Sequence, residues 1–180
     1  MAHGNDGAGS IRIPASCCGL FGLKPTRARN PLGPEYNDII FSATVCEHVL
    51  SRSVRDSARL LDATSGPELG APYQAGSLMQ SFENEIDKEP SKLRIAFTER
   101  TITKESVHPD CVEAVRDAAN LCSNLGHEIV EDSPVIDQGL LSKYGYIWAM
   151  IPAWVVDYWV RRTGQKPSPN NFEKITWALY

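Results

Sequence analysis

The chain has 180 residues, 42% of them hydrophobic and 22% charged, with a formal net charge of -4 at pH 7 and a pI near 5.6. A globular chain of this size buries roughly 70% of its unfolded surface, so one soluble domain with its own core is expected. The acidic balance, with no Lys/Arg cluster, excludes a general nucleic-acid binder, which needs clustered cations to displace phosphate counterions. The five cysteines, Cys17, Cys18, Cys46, Cys111 and Cys122, are odd in number and irregularly spaced. Neither a disulfide ladder nor a paired zinc motif fits them, and they are taken as reduced thiols with no metal. The longest apolar run, Ile147 to Val156, falls short of the roughly 20 residues that span a bilayer. The N-terminus lacks a cationic leader, and a cytoplasmic protein with no membrane partner is expected.

The chain opens with "HGNDGAGSIRIPAS", His3 to Ser16, in which Gly4, Gly7, Ala8 and Gly9 crowd around Ser10. Residues without bulky side chains let several backbone N–H groups converge on one anion. A helix opening just after them adds roughly half a positive charge at the same place. Two readings follow: an oxyanion cradle beside a hydroxyl nucleophile, or a glycine turn that caps a helix. Residues 11–26 alternate apolar and small side chains, and 27–38 form a proline-containing connection, so this first part is expected to be compact and loop-rich. Vicinal Cys17 and Cys18 are expected as small buried residues beside the loop rather than as a redox or metal pair.

The clearest helix is "SRSVRDSARLLDATSG", with Ser53 and Asp56 spaced as a capping box, Val54, Ala58 and Leu61 on one face, and Gly66 and Pro67 as the stop. Residues 67–91 are expected as a surface connection, with Glu83, Glu85, Asp87 and Glu89 solvated. Leu93, Ile95 and Phe97 alternate as on a strand; a helix from Pro109 to Gly126 follows, with Val112, Val115, Ala119 and Cys122 as its buried stripe, and "HEIVED" gives a second strand. That order implies a parallel pair joined by a right-handed crossover. Tyr144 to Trp159 suggest one or two helices kinked at Pro152, and "PNNFEKITWALY" starts another.

A serine hydroxyl needs a positioned base before it attacks, and nothing in the spacing of His3, His48, His108 and His127 places one at Ser10. The lipase elbow G-x-S-x-G fails because Arg12 stands where its second glycine belongs. The phosphate loop G-x-x-x-x-G-K fails because no lysine follows the glycines. The pattern is an oxyanion cradle without an identified base. Asp6 and Arg12 either pair inside the protein or are separately exposed.

"GNDGAGSIRIPASCCGLFGLKPT", Gly4 to Thr26, resembles the second half of the signature of the amidase signature family, whose members hydrolyse carboxamides with a Ser, cis-Ser, Lys triad. The helix after Ser53 and the strand-helix-strand unit at about 92–132 resemble the family's next elements, and the aromatic segment 137–180 does so loosely. Within the family, the opening stretch resembles the branch that opens cyclic oligoamides of 6-aminohexanoate. The resemblance implies an α/β fold, a mixed β-sheet covered by helices, of which residues 1–180 form a single partial domain, incomplete at both ends. It implies Ser10 as acyl-forming nucleophile, the backbone amides of Gly7, Ala8, Gly9 and Ser10 as oxyanion hole, and Asp6 and Arg12 as loop supports. It further implies a small-molecule amide substrate and no cofactor, and leaves homo-oligomerisation open.

Two departures stand out. Ala8 replaces a usual glycine, a change the loop accepts if that residue's φ is negative. The family's cis-serine and lysine lie upstream of the nucleophile, whereas only nine residues precede Ser10, so both are expected to be missing and the chain to be inactive alone. Losing a triad member typically costs on the order of 10³-fold or more in rate. Lys24, downstream and after an apolar segment, is expected to be structural. The competing reading is a catalytically silent remnant that binds an anion or serves structure without chemistry.

Overall fold

The computed structural model describes residues 1–33, 44–103 and 105–180. Helices and strands mix as the α/β expectation requires, and the chain divides into two compact units, Met1–Lys88 and Glu89–Tyr180. Each is described by itself.

The first unit is built on strand β1 (Ala2–Asp6), helix α1 (Arg12–Cys17), strands β2 (Phe21–Gly22) and β3 (Cys46–Ser51), and helices α2 (Val54–Thr64) and α3 (Phe82–Ile86). The strands form an antiparallel sheet in the order β1-β3-β2, with Asp6 opposite Cys46, Gly4 opposite His48 and Phe21 opposite Ser51. The opening residues are therefore strand where a loop-rich segment was expected. Gly4 allows this, because a Cβ there would lie 3.2 Å from Leu50 Cδ1 and 3.3 Å from Ile11 Cγ1. Gly22 does the same for β2 against α1: its Cβ would stand 2.6 Å from that of Ala15.

Helix α2 starts where the capping box places it, the Ser53 hydroxyl accepting the Asp56 N–H at 3.1 Å. Its buried face is Ser57, Ala58 and Leu61; Val54, expected on that face, is 50% exposed because it occupies the first turn, ahead of the contact with the sheet. Residues 67–91 contain the unexpected short helix α3. Its Phe82 and Glu83 N–H groups donate to the Asp62 carboxylate at 2.7 and 2.9 Å, a cap supplied from α2. Of the four acidic residues expected to be solvated, Glu85, Asp87 and Glu89 are exposed and Glu83 is half-buried, and three of them also pair at the surface: Glu83 with Arg59 and Asp87 with Arg55, both from α2, and Glu85 with Lys88.

The buried apolar residues of this unit are Ile11, Ala15, Cys46, Ala58 and Leu61. Cys17 and Cys18 are exposed, against expectation, since α1 turns Ile11 and Ala15 to the sheet and its last residues outward. All five cysteines are free thiols.

The second unit carries the strand-helix-strand order: β4 (Arg94–Phe97), α4 (Pro109–Asn124) and β5 (Glu128–Glu131), with β4 and β5 parallel and Ile95 opposite Ile129. Pro109 opens α4, whose half-buried positions include Val112, Val115, Ala119 and Cys122, and Gly126 ends it at φ 92°. The aromatic stretch is a single helix, α5 (Gln138–Thr163), continuous through Pro152. Trp154 stacks on Tyr158 at 5.4 Å, and Gly164, at φ 70°, closes the helix in the left-handed conformation. A short 3-10 turn (Pro169–Asn171) and helix α6 (Lys174–Leu179) follow, and the Tyr180 hydroxyl donates to Asp157 at 3.0 Å. Among the described residues, no helix is long and apolar enough to cross a membrane.

Candidate active site

Strand β1 ends on Asp6, and the chain must then reverse to enter α1. The reversal is wound around the Asp6 side chain, which is fully buried. Its Oδ1 accepts the Gly9 N–H at 2.6 Å; its Oδ2 accepts the N–H groups of Ile11 at 3.3 Å and Arg12 at 3.4 Å. The Arg12 guanidinium closes the clamp, Nε donating to Oδ2 at 2.9 Å and Nη2 to Oδ1 at 3.0 Å. Of the two arrangements open for Asp6 and Arg12, the structure has the paired one, with the carboxylate inside and the guanidinium half exposed. The guanidinium bonds, followed by the Gly9 and Ile11 amides, hold the Asp6 carboxyl far below the usual carboxylate range despite its burial.

Gly9 makes the turn. It is buried with φ 127°, a conformation that side chains disfavour, and a Cβ there would lie 2.7 Å from Ile13 Cδ1. Its carbonyl accepts the Ile13 N–H at 2.7 Å, tying the turn to the first residues of α1. Ala8 has no positive φ, so the departure from glycine there is accommodated. Ser10 follows at the crest of the turn, exposed, and among the described residues no hydrogen bond reaches its hydroxyl.

These contacts sort the residues singled out in the sequence. Asp6 and Arg12 meet as loop supports. The Gly9 N–H, expected to face an anion together with those of Gly7, Ala8 and Ser10, instead points inward, because the Asp6 carboxylate takes it. Lys24 is partly buried: its Nζ donates to the Pro25 carbonyl at 3.0 Å and lies 3.5 Å from Cys46 Sγ, which makes it a structural lysine. His48 is buried in β3, and its Nε2 shares a hydrogen bond of 2.7 Å with the Ser57 hydroxyl rather than with Ser10. His3 pairs with Glu47 at 2.6 Å. Cys46, opposite Asp6 and beside Lys24, was not foreseen; the signal it offered was only its place in an unrecognised strand.

The Amidase family model matches residues 1–176. The chain belongs to the amidase family. It is 34% identical over 183 aligned residues to the 6-aminohexanoate-cyclic-dimer hydrolase of Paenarthrobacter ureafaciens, covering 99% of this chain and 37% of that relative. The structure of 6-aminohexanoate cyclic dimer hydrolase complexed with substrate superposes with a TM-score of 0.91 at 33% identity, covering 99% of this chain and 38% of that one. A bacterial aryl acylamidase of the amidase signature family has the same fold, at TM-score 0.80 and 19% identity, with 99% of this chain and 37% of the other covered. The chain thus spans little more than a third of the length of these relatives.

Proposed function

We propose that the chain carries the nucleophile loop of a hydrolase that cleaves the C–N bond of linear or cyclic carboxamides, with Ser10 as nucleophile. Ser10 Oγ adds to the carbonyl carbon; the tetrahedral oxyanion collapses with loss of the amine, and water releases the acyl group from Ser10 as a carboxylate. The proposed oxyanion donors are the amides of Gly7, Ala8 and Ser10, and the proposal rests on the last two, with Gly9 committed to Asp6. The amidase resemblance assigns proton transfer to a lysine acting through a cis-serine, both upstream of this loop in the family. The substrate class follows from the 6-aminohexanoate-cyclic-dimer hydrolase relatives.

The single observation that carries this reading is the clamp. A buried carboxylate fixes the turn from below while the serine on its crest faces outward. A buried carboxylate that holds the turn while the serine hydroxyl stays unbonded supports access of a substrate to that hydroxyl.

The unbonded hydroxyl also favours a second reading, a loop that does no chemistry by itself. With no base against Ser10 among the described residues, the 180 residues alone are proposed to turn over no amide and to leave Ser10 unmodified. A fluorophosphonate probe followed by peptide mapping tests this. No labelling of Ser10 in the 180-residue chain is the expected result, and labelling that Ser10→Ala abolishes would show that a base is present and overturn it. The nucleophile assignment is tested in a chain extended at its N-terminus by the corresponding segment of the 6-aminohexanoate-cyclic-dimer hydrolase. Failure of Ser10 to label there, with the fold intact, would overturn that assignment.

A further inference from the structure

We propose that Cys17 and Cys18 form a binding site for trivalent organoarsenicals and chemically equivalent centres that are satisfied by two thiolates. Both thiols are exposed, at the end of α1 away from Ser10. Adjacent residues on a helix do not face each other, but at an exposed helix end rotation about the two χ1 angles can bring neighbouring cysteine sulfurs onto one centre. The last turn is firm: the Cys18 N–H donates to the Pro14 carbonyl at 3.0 Å, and the Leu20 N–H to that of Ala15 at 2.8 Å. The pair is therefore presented in one local geometry rather than on a fraying end.

The donor count selects the ligand. Among the described residues no group of three or more His, Cys, Asp or Glu side chains is placed to hold a metal ion, so a tetrahedral zinc site is not available. Two soft sulfurs without further ligands suit a soft centre that keeps one organic substituent and needs only two bonds from the protein. The other thiols do not compete as pairs. Cys111 and Cys122 stand eleven residues apart on α4, roughly 16 Å along the axis. Cys46 is buried beside Lys24. The chemistry is a condensation without change of oxidation state: an arsine oxide and two thiols give two As–S bonds, and the oxide oxygen leaves as water with both thiol protons.

The test uses the 180-residue chain reduced with a phosphine, one equivalent of phenylarsine oxide, a wash with excess 2-mercaptoethanol, and mass spectrometry of the intact chain and its tryptic peptides. One phenylarsenic group retained per chain, on the peptide spanning residues 13–27, is expected, with release by a dithiol. Cys17→Ser and Cys18→Ser should each weaken retention by about 10²-fold or more, the advantage of a second linked bond, while Cys111→Ser changes nothing. Circular dichroism confirms that the variants are folded. Removal from the wild-type chain by the monothiol, retention in either single variant, or labelling of another peptide would each overturn the proposal.

Discussion

Replacing Asp6 by Asn tests the clamp with the least change in shape. Asparagine retains one carbonyl oxygen, enough to keep the Gly9 bond of 2.6 Å, but puts an amide NH₂ where Oδ2 accepts from the Ile11 and Arg12 N–H groups and from Arg12 Nε. Three donors then face a fourth. Hydrogen bonds to a charged group are worth about 1.5–3 kcal/mol each, and breaking a buried ion pair about 3–5 kcal/mol. The two backbone bonds to Oδ2 are long and the guanidinium is half exposed, so the lower end applies, about 3 kcal/mol. Because that cost falls on one loop, amide hydrogen exchange is the sharpest assay. The Gly9, Ile11 and Arg12 amides should lose protection by about 10²-fold, one factor of ten per 1.4 kcal/mol. The global melting temperature should drop by about 6–12 °C.

The same substitution has a signature in acid. Asp6 is depressed in the folded chain relative to its ordinary value of 3.8, so its contribution is complete above that pH. As pH falls below it, the unfolded chain takes up the proton first, and stability declines until the folded carboxyl also protonates, well below the usual carboxylate range. Asp6→Asn should therefore flatten the stability profile below about pH 4. Exchange at these amides within threefold of wild type, together with an unchanged acid profile, would refute the clamp as the element that holds the Ser10 turn.

Gly9→Ala combines a disfavoured φ with a Cβ 2.7 Å from Ile13 Cδ1, and should cost about 1–3 kcal/mol in urea unfolding followed by far-UV circular dichroism. Gly22→Ala places a Cβ 2.6 Å from that of Ala15 and 3.0 Å from the Ile11 carbonyl, both parts of the backbone or short, so it should cost about 1–3 kcal/mol and loosen β2 from α1 in the same assay. Burial lowers His48 below its ordinary value of 6.5; above that value its contribution is complete, and below it stability falls as the unfolded chain protonates first. Urea midpoints at pH 7 and pH 5 should differ more for wild type than for His48→Gln.

What was legible in the sequence was local. Ser53 with Asp56, Pro109 and Gly126 are caps and stops whose geometry is decided within a few residues, and the helices between them begin and end where those residues place them. The half-buried stripe of α4 followed from spacing for the same reason. The three-stranded sheet was not legible because its pairings join residues 28 to 48 positions apart, as Asp6 joins Cys46, and because Gly4, Asn5, Glu47 and His48 have little intrinsic strand preference. Helix α3 was missed although Ser81 caps it locally, accepting the Asn84 N–H at 3.3 Å, because it has only five residues and because the Asp62 carboxylate that takes its first N–H groups lies twenty residues upstream of Phe82 on another helix.

The candidate site shows the same division. A glycine-rich turn with a serine was plain from composition, but the direction of each amide was not, since that depends on one torsion. Because Gly9 takes φ 127°, its N–H swings toward the interior, where β1 has just delivered a buried carboxylate, and the next side chain swings out. The inward amide and the outward hydroxyl are two consequences of one reversal. An amide that stabilises the turn cannot at the same moment face a substrate, so the proposed oxyanion hole falls to the amides on either side of Gly9. Asp6 therefore acts on the chemistry proposed for Ser10 by positioning it, and a change at Asp6 should alter the loop before it alters any bond to a ligand.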